Sequence, residues 1–305
     1  MHNSNSSIFP LLLVSAFVLG LLILFIPVFN FEIFEEYRDN QRYSWLFYRI
    51  SDESFLEAYQ TGIINLGYVE LPSFIFYYIS ASIFNSFSTF SLIIFLLNLF
   101  LLYFLYIKGK ISAGSILLII TSTYFMRLSI DLHKLQISYL IFLAFITSQT
   151  WRFIIVFFHL SWVLILASDI LSRFLTLPNL RYARVPKKFL WFLIISLISV
   201  VILSAPLWDK FLYYFNDYHY SDMLESLILG LLIFLAFGSK KSVIIFVFIS
   251  FFCLLVGSDR ILILLFLWFL TTERQPSLIG FTLLFCFNIL KWFFFLSSDF
   301  NIFAY

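Results

Sequence analysis

Apolar residues run from Ile8 to Phe29 almost without a break, and at Asn30 the pattern reverses. From there to Leu71 the chain carries Glu32, Glu35, Glu36, Arg38, Asp39, Arg42, Arg49, Asp52, Glu53, Glu57 and Glu70. The apolar pattern then returns in runs at 71–84, 88–107, 112–126, 135–148, 153–168, 189–206, 224–237, 242–257, 261–272 and 277–296. Runs of about 20 apolar residues match a hydrocarbon core roughly 30 Å thick, whereas barrel strands are short and alternating. The pattern therefore predicts an all-α polytopic membrane protein, a bundle of about 11 transmembrane or partly re-entrant helices in one membrane-embedded domain over residues 1–305. Runs of about 12 to 15 residues are too short to cross alone, so they predict broken or re-entrant helices that line protein or a polar cavity. The first run follows a start without lysine or arginine and ends in Pro27-Val28-Phe29, with no small-residue cleavage site. It predicts a retained span rather than a removed leader.

Composition agrees with the pattern. The chain is 62% hydrophobic, 22% aromatic and 12% charged, with a mean hydropathy of +0.99, against roughly 25% charged residues in a soluble domain. The net charge of +2 gives no case for nucleic acid. Cys253 and Cys286 fall inside apolar runs, where a thiol behaves as a small hydrophobe, so neither a disulfide framework nor a metal site is expected. There is no zinc spacing, glycine-rich phosphate loop or nucleophile elbow, hence no support for metal-dependent hydrolysis or ATP-driven transport.

The cations set an expected orientation. Arg173, Arg181, Arg184, Lys187 and Lys188 cluster within 169–188, and Lys240 and Lys241 within 238–241, which marks both segments as cytoplasmic by the positive-inside rule. Counting back places the N-terminus inside, and residues 30–70, the loop 207–223 and the turn Ser258-Asp259-Arg260 outside. If every run crossed, Lys108 and Lys110 would also lie outside, so at least one segment in 71–148 is expected not to span fully.

The candidate chemistry follows the charges. Tyr37-Arg38-Asp39-Asn40-Gln41-Arg42-Tyr43 places two guanidinium groups four residues apart, on one face if helical. Their planar forks suit a diphosphate, and local ion pairs with Glu35, Glu36 or Asp39 serve as the alternative. In Gly67-Tyr68-Val69-Glu70-Leu71-Pro72, Pro72 suits a first helical turn, and Glu70 suits either a cap or a catalytic carboxylate. Arg127, Asp131 and Lys134 recur at spacings of four and three, on one side of a continuous helix, with His133 pointing elsewhere. Charges at such depth are costly unless they face a polar cavity, although a snorkelling interfacial turn explains them too. His159 lies about two turns into an apolar run, either satisfied by a neighbouring helix or free to do acid–base work. Asp259-Arg260 forms an ion pair or a further phosphate contact. Tyr213, Tyr214, Tyr218, His219 and Tyr220 suit sugar rings or an interfacial aromatic belt.

The order of these features resembles the EpsG-like, Wzy-type polysaccharide polymerases of bacterial membranes. The resemblance is carried by Tyr37-Arg38-Asp39 to Tyr43, Gly67 to Pro72, Asp131-Leu132-His133-Lys134, Phe158-His159-Leu160-Ser161 and Ser258-Asp259-Arg260. It implies a glycosyltransferase-C-like, metal-independent enzyme without a cofactor. Such an enzyme transfers a growing glycan from undecaprenyl diphosphate to the non-reducing end of an incoming lipid-linked unit, on the outer side of the inner membrane. The resemblance further implies contact with membrane lipids and work beside a chain-length regulator. On this reading Arg38, Asp39, Arg42, Tyr43, Arg127, Lys134, Asp259 and Arg260 hold the substrate and its diphosphate. One of His159, Glu70, His133 and Asp131 deprotonates the acceptor, with His159 or Glu70 preferred.

Two other classes compete. A transporter or flippase of lipid-linked oligosaccharide would use the same arginines, although transporters of this size usually show two related halves and none is visible. A non-catalytic membrane subunit would gain nothing from buried ions.

Overall fold

The apolar runs fold as helices, and serine marks where many of them begin. The computed structural model describes residues 14–16, 18–20, 39–66, 71–130, 132–146, 155, 162, 165–166, 169, 220–238, 259–273 and 275–298. Among these residues the ordered elements are helical and no strand occurs. In chain order they are α1 (Asp39–Ile50), α2 (Phe55–Leu66), α3 (Leu71–Ile83), α4 (Phe87–Ile107), α5 (Ala113–Ile120), α6 (Thr123–Ile130), α7 (His133–Phe145), α8 (Tyr220–Phe237), α9 (Asp259–Thr272) and α10 (Leu278–Ser298). The Oγ atoms of Ser86, Ser112, Ser122 and Ser277 accept from the amides of Thr89 (3.3 Å), Ser115 (3.1 Å), Phe125 (3.1 Å) and Gly280 (3.1 Å). Each thus satisfies an amide that a helix start leaves open.

At α2 the cap is a carboxylate. Glu57 Oε2 accepts from the Ser54 amide at 3.2 Å and from its hydroxyl at 2.5 Å, the reach-back half of a capping box. These bonds hold the exposed Glu57 carboxyl below its ordinary value of 4.5. A depressed folded-state pKa means that the cap's support is present above 4.5 and is lost as the pH falls through the lower, folded value. Amide-exchange protection at the start of α2 is therefore expected to drop as the pH falls below 4.5, and Glu57→Gln to remove that dependence. Identical pH profiles in the two proteins would count against the cap.

Among the described residues, α4 is the one helix long and apolar enough to cross a membrane by itself; α6 and α7 pass together as a pair bent by 109° at their break. The apolar run 112–126 is broken into two helices, as expected of a run too short to cross alone. Thr121 Oγ1 donates back to Leu117 O (2.7 Å) and Ser122 Oγ to Ile119 O (2.8 Å) while capping α6, so two hydroxyls end α5 and start α6. The described part of the charged segment after Asn30 is two helices, and α2 exposes Leu56, Ile63 and Ile64, the last at 79%.

Met1–His159 and Phe266–Tyr305 make one compact unit, and Leu160–Leu265 a second. In the first, α1, α2 and α3 pack on one another, α4 lies along α7, and α10 lies against α5 and α6. Glu53 ties the first three helices together. Its carboxylate accepts from Arg49 Nε and Thr61 Oγ1, each at 2.9 Å, and its carbonyl from Tyr78 OH at 3.1 Å. Phe90 of α4 is the aromatic centre, with ring centroids of Phe47, Phe76, Tyr77, Phe84 and His133 at 5.5, 6.0, 5.7, 5.8 and 4.9 Å. α10 clasps the end of α5: Asn288 Nδ2 donates to Leu118 O (3.3 Å) and Trp292 Nε1 to Thr121 O (2.8 Å). Lys291 Nζ lies 4.8 Å from the ring centroid of Tyr124, the second residue of α6. Carbonyls left open at a helix end are thereby partnered, and α6, which carries Arg127, is held at its start. In the second unit, α8 buries Leu229, Ile233 and Ala236 and exposes Leu224, Leu227, Leu231 and Leu235, apolar on both faces.

Candidate functional site

Three segments far apart in sequence meet at His133. The residue opens α7 immediately after the α6–α7 break and is 1% exposed. Its Nδ1 is hydrogen-bonded to the hydroxyl of Tyr77, which is buried in α3. The Tyr77 ring lies 5.3 Å from the imidazole, and Phe87 and Phe90 of α4 close the other sides at 5.1 and 4.9 Å. Tyr43 of α1 stacks on Tyr77 at 5.8 Å with an interplanar angle of 29°. Exposure falls along this path. Arg42 is exposed, Tyr43 half-buried, and Tyr77 and His133 buried. The first charged segment thus reaches the imidazole through two stacked phenols.

The chemistry of this arrangement lies in the two imidazole nitrogens. Nδ1 is engaged by Tyr77, while Nε2 is buried and has no hydrogen-bond partner. A fixed Nδ1 bond selects a tautomer and leaves Nε2 to exchange a proton with whatever meets it. The break beside it also exposes backbone polarity. Leu132 precedes α7 with φ −114° and ψ 58° and no side-chain cap, unlike the serine-capped starts elsewhere. An uncapped helix start presents amides and partial positive charge, the arrangement that suits an anion. Lys134, 9% exposed, stands in that first turn, and Arg127, half-buried, stands in the last turn of α6. A cation there also suits the helix dipole. The Leu132 amide reaches back to Arg127 O at 3.2 Å and closes the break.

This break corrects one expectation. Arg127 and Lys134 do not share the face of a continuous helix, because the axes of α6 and α7 diverge by 109° between them. The cations flank a corner instead. Of the other expected site residues, Asp39 and Arg42 fall in the first turn of α1, and Asp259 and Arg260 open α9. Arg38, Glu70, Asp131 and His159 lie outside the described residues. Among the described residues no three His, Cys, Asp or Glu side chains gather as metal ligands would. Sequence reasoning passed over Tyr77, Asn98 and Gln136. Asn98 and Gln136 are fully buried, in α4 and α7. The available signal was an amide or phenol within an apolar run, where a polar group is costly unless used.

Compared with protein-family models, curated proteins and solved structures, the chain matches none.

Proposed function

We propose that the chain is a polytopic glycosyltransferase of the bacterial inner membrane, with an outward-facing site that polymerises undecaprenyl-diphosphate-linked oligosaccharide units. The observation that carries this reading is the convergence of Tyr43, Tyr77 and His133 inside an apolar helical unit, beside a helix corner flanked by Arg127 and Lys134. An ionisable group at such depth is a functional site by default. The resemblance in the order of sequence motifs supplies the substrate class and the glycosyltransferase-C-like architecture.

In the proposed reaction an acceptor sugar hydroxyl attacks the anomeric carbon of the growing chain. The new carbon–oxygen bond forms as the bond to the diphosphate oxygen breaks, and undecaprenyl diphosphate leaves with that bonding pair. The hydroxyl proton passes, by way of water, to His133 Nε2, which Tyr77 keeps oriented. Arg127, Lys134 and the uncapped start of α7 stabilise the charge that develops on the diphosphate. Arg42, exposed on α1, meets the same anion as it arrives. The exposed apolar faces of α2, α3, α4 and α8 contact lipid, and a chain-length regulator is a partner of the assembled enzyme.

The test is reconstitution. Purified protein in nanodiscs, given its host's lipid-linked repeat unit, is expected to make a ladder of products on a gel, and Arg127→Ala to lose it. A wild-type protein that binds the lipid-linked unit but yields no ladder would replace this reading with a flippase.

A further inference from the structure

Four buried side chains on the facing sides of α4 and α7 leave polar atoms without a partner: His133 Nε2, both ends of the Gln136 amide, Asn98 Oδ1 and Ser91 Oγ. They belong to one strip. His133 and Gln136 are one turn apart on α7, and Ser91 and Asn98 two turns apart on α4. The two helices pack along each other. Asn98 Nδ2 donates across the interface to Gln136 O at 3.4 Å, and the rings of Phe87 and Phe90, which stand one turn and one residue before Ser91 in α4, lie against His133. All four residues are at most 1% exposed. A hydrogen-bonding group held away from solvent without a partner is strongly disfavoured, so a strip of four calls for small polar molecules along it.

We infer that the α4–α7 interface is a neutral hydroxyl-binding site and that water occupies it, bridging the His133 imidazole to the Gln136 and Asn98 amides and the Ser91 hydroxyl. The donor set decides the class of ligand. Two amides, a hydroxyl and an imidazole offer both donors and acceptors without a carboxylate or a guanidinium, which suits neither a metal cation nor a phosphate. A buried water takes two to four such partners, and this strip supplies them. A sugar hydroxyl has the same bonding pattern and is the other source of this chemistry. Full burial beneath Phe87 and Phe90 favours the smaller molecule. The site stands whether or not the chain is a polymerase. If it is one, these waters connect the buried imidazole to the acceptor.

Hydroxyl-radical footprinting in water labelled with oxygen-18 tests the assignment on the full chain in nanodiscs, without glycan. Water held in the strip is expected to label Tyr77, Phe90 and His133 faster than Phe266 and Phe269, which are equally buried. A parallel sample with a soluble methyl glycoside separates the two hydroxyl sources: labelling already present without it belongs to water. The double variant Asn98→Leu, Gln136→Leu is expected to lose the excess. Labelling of Tyr77 and His133 no faster than of Phe266 and Phe269 in the wild type, a comparison that needs no variant to fold, would overturn the inference. Excess labelling that persists in the double variant would also overturn it. Neither readout depends on polymer formation, so this inference and the proposed function fail separately.

Discussion

His133→Gln is expected to lower the initial rate of chain extension by about 100-fold or more, the scale of a positioned general base. Glutamine keeps a polar group of similar reach but cannot take up a proton near neutral pH. The variant should therefore express, insert and bind the lipid-linked unit as the wild type does. Tyr77→Phe separates orientation from proton transfer. Phenylalanine preserves the ring that stacks on Tyr43 and packs on Phe90, and removes only the hydroxyl on Nδ1. Its loss is expected to be smaller than that of His133→Gln, and the nitrogen-15 imidazole spectrum should change from one tautomer to a mixture. Extension by His133→Gln at the wild-type rate would remove His133 from the base position and return the role to Glu70, Asp131 or His159.

The helical class was legible because apolar runs of helix length leave few alternatives, whereas the serines that stand before several helix starts were a signal left unused. The site was legible in halves. Tyr43 drew notice as part of a charged motif and His133 as an ionisable group between apolar runs, yet neither pointed to the other. Their link is Tyr77, which is 56 residues from His133 and sits in a helix whose sequence reads as plain hydrocarbon. Pairing across such a separation is a property of packing, which periodicity does not encode. The α6–α7 corner was hidden for a different reason. Spacings of three and four suggest a shared face only while the backbone stays helical, and Leu132 leaves the helical region. The exposed apolar face of α2 was not legible from the charges of the segment, because Glu53 and Glu57 stand at its N-terminal end while Ile63 and Ile64 lie further along.

Phe90→Ala is expected to cause the largest loss of stability of any single truncation in the first unit, about 3 kcal/mol, as for large-to-small changes in a filled core. Phe90 is 1% exposed and touches rings from α1, α3, α7 and the turn after α3, so its removal opens a cavity that no single element can move to fill. In a bilayer the transfer part of this cost shrinks, because lipid tails are as apolar as the core, and the lost packing remains. Phe100, in the same helix but 62% exposed, supplies the control. Phe100→Ala should stay within about 0.5 kcal/mol of wild type. Unfolding in mixed micelles measures both, and equal shifts for the two variants would mean that Phe90 is not the centre of this core. The same cavity removes one wall from His133. Chain extension should therefore fall in Phe90→Ala even at temperatures where the protein stays folded, whereas His133→Gln should lose extension with its stability intact. A general base and the ring that confines it are distinguished by that pair of outcomes: one variant loses rate alone, the other loses rate and stability together.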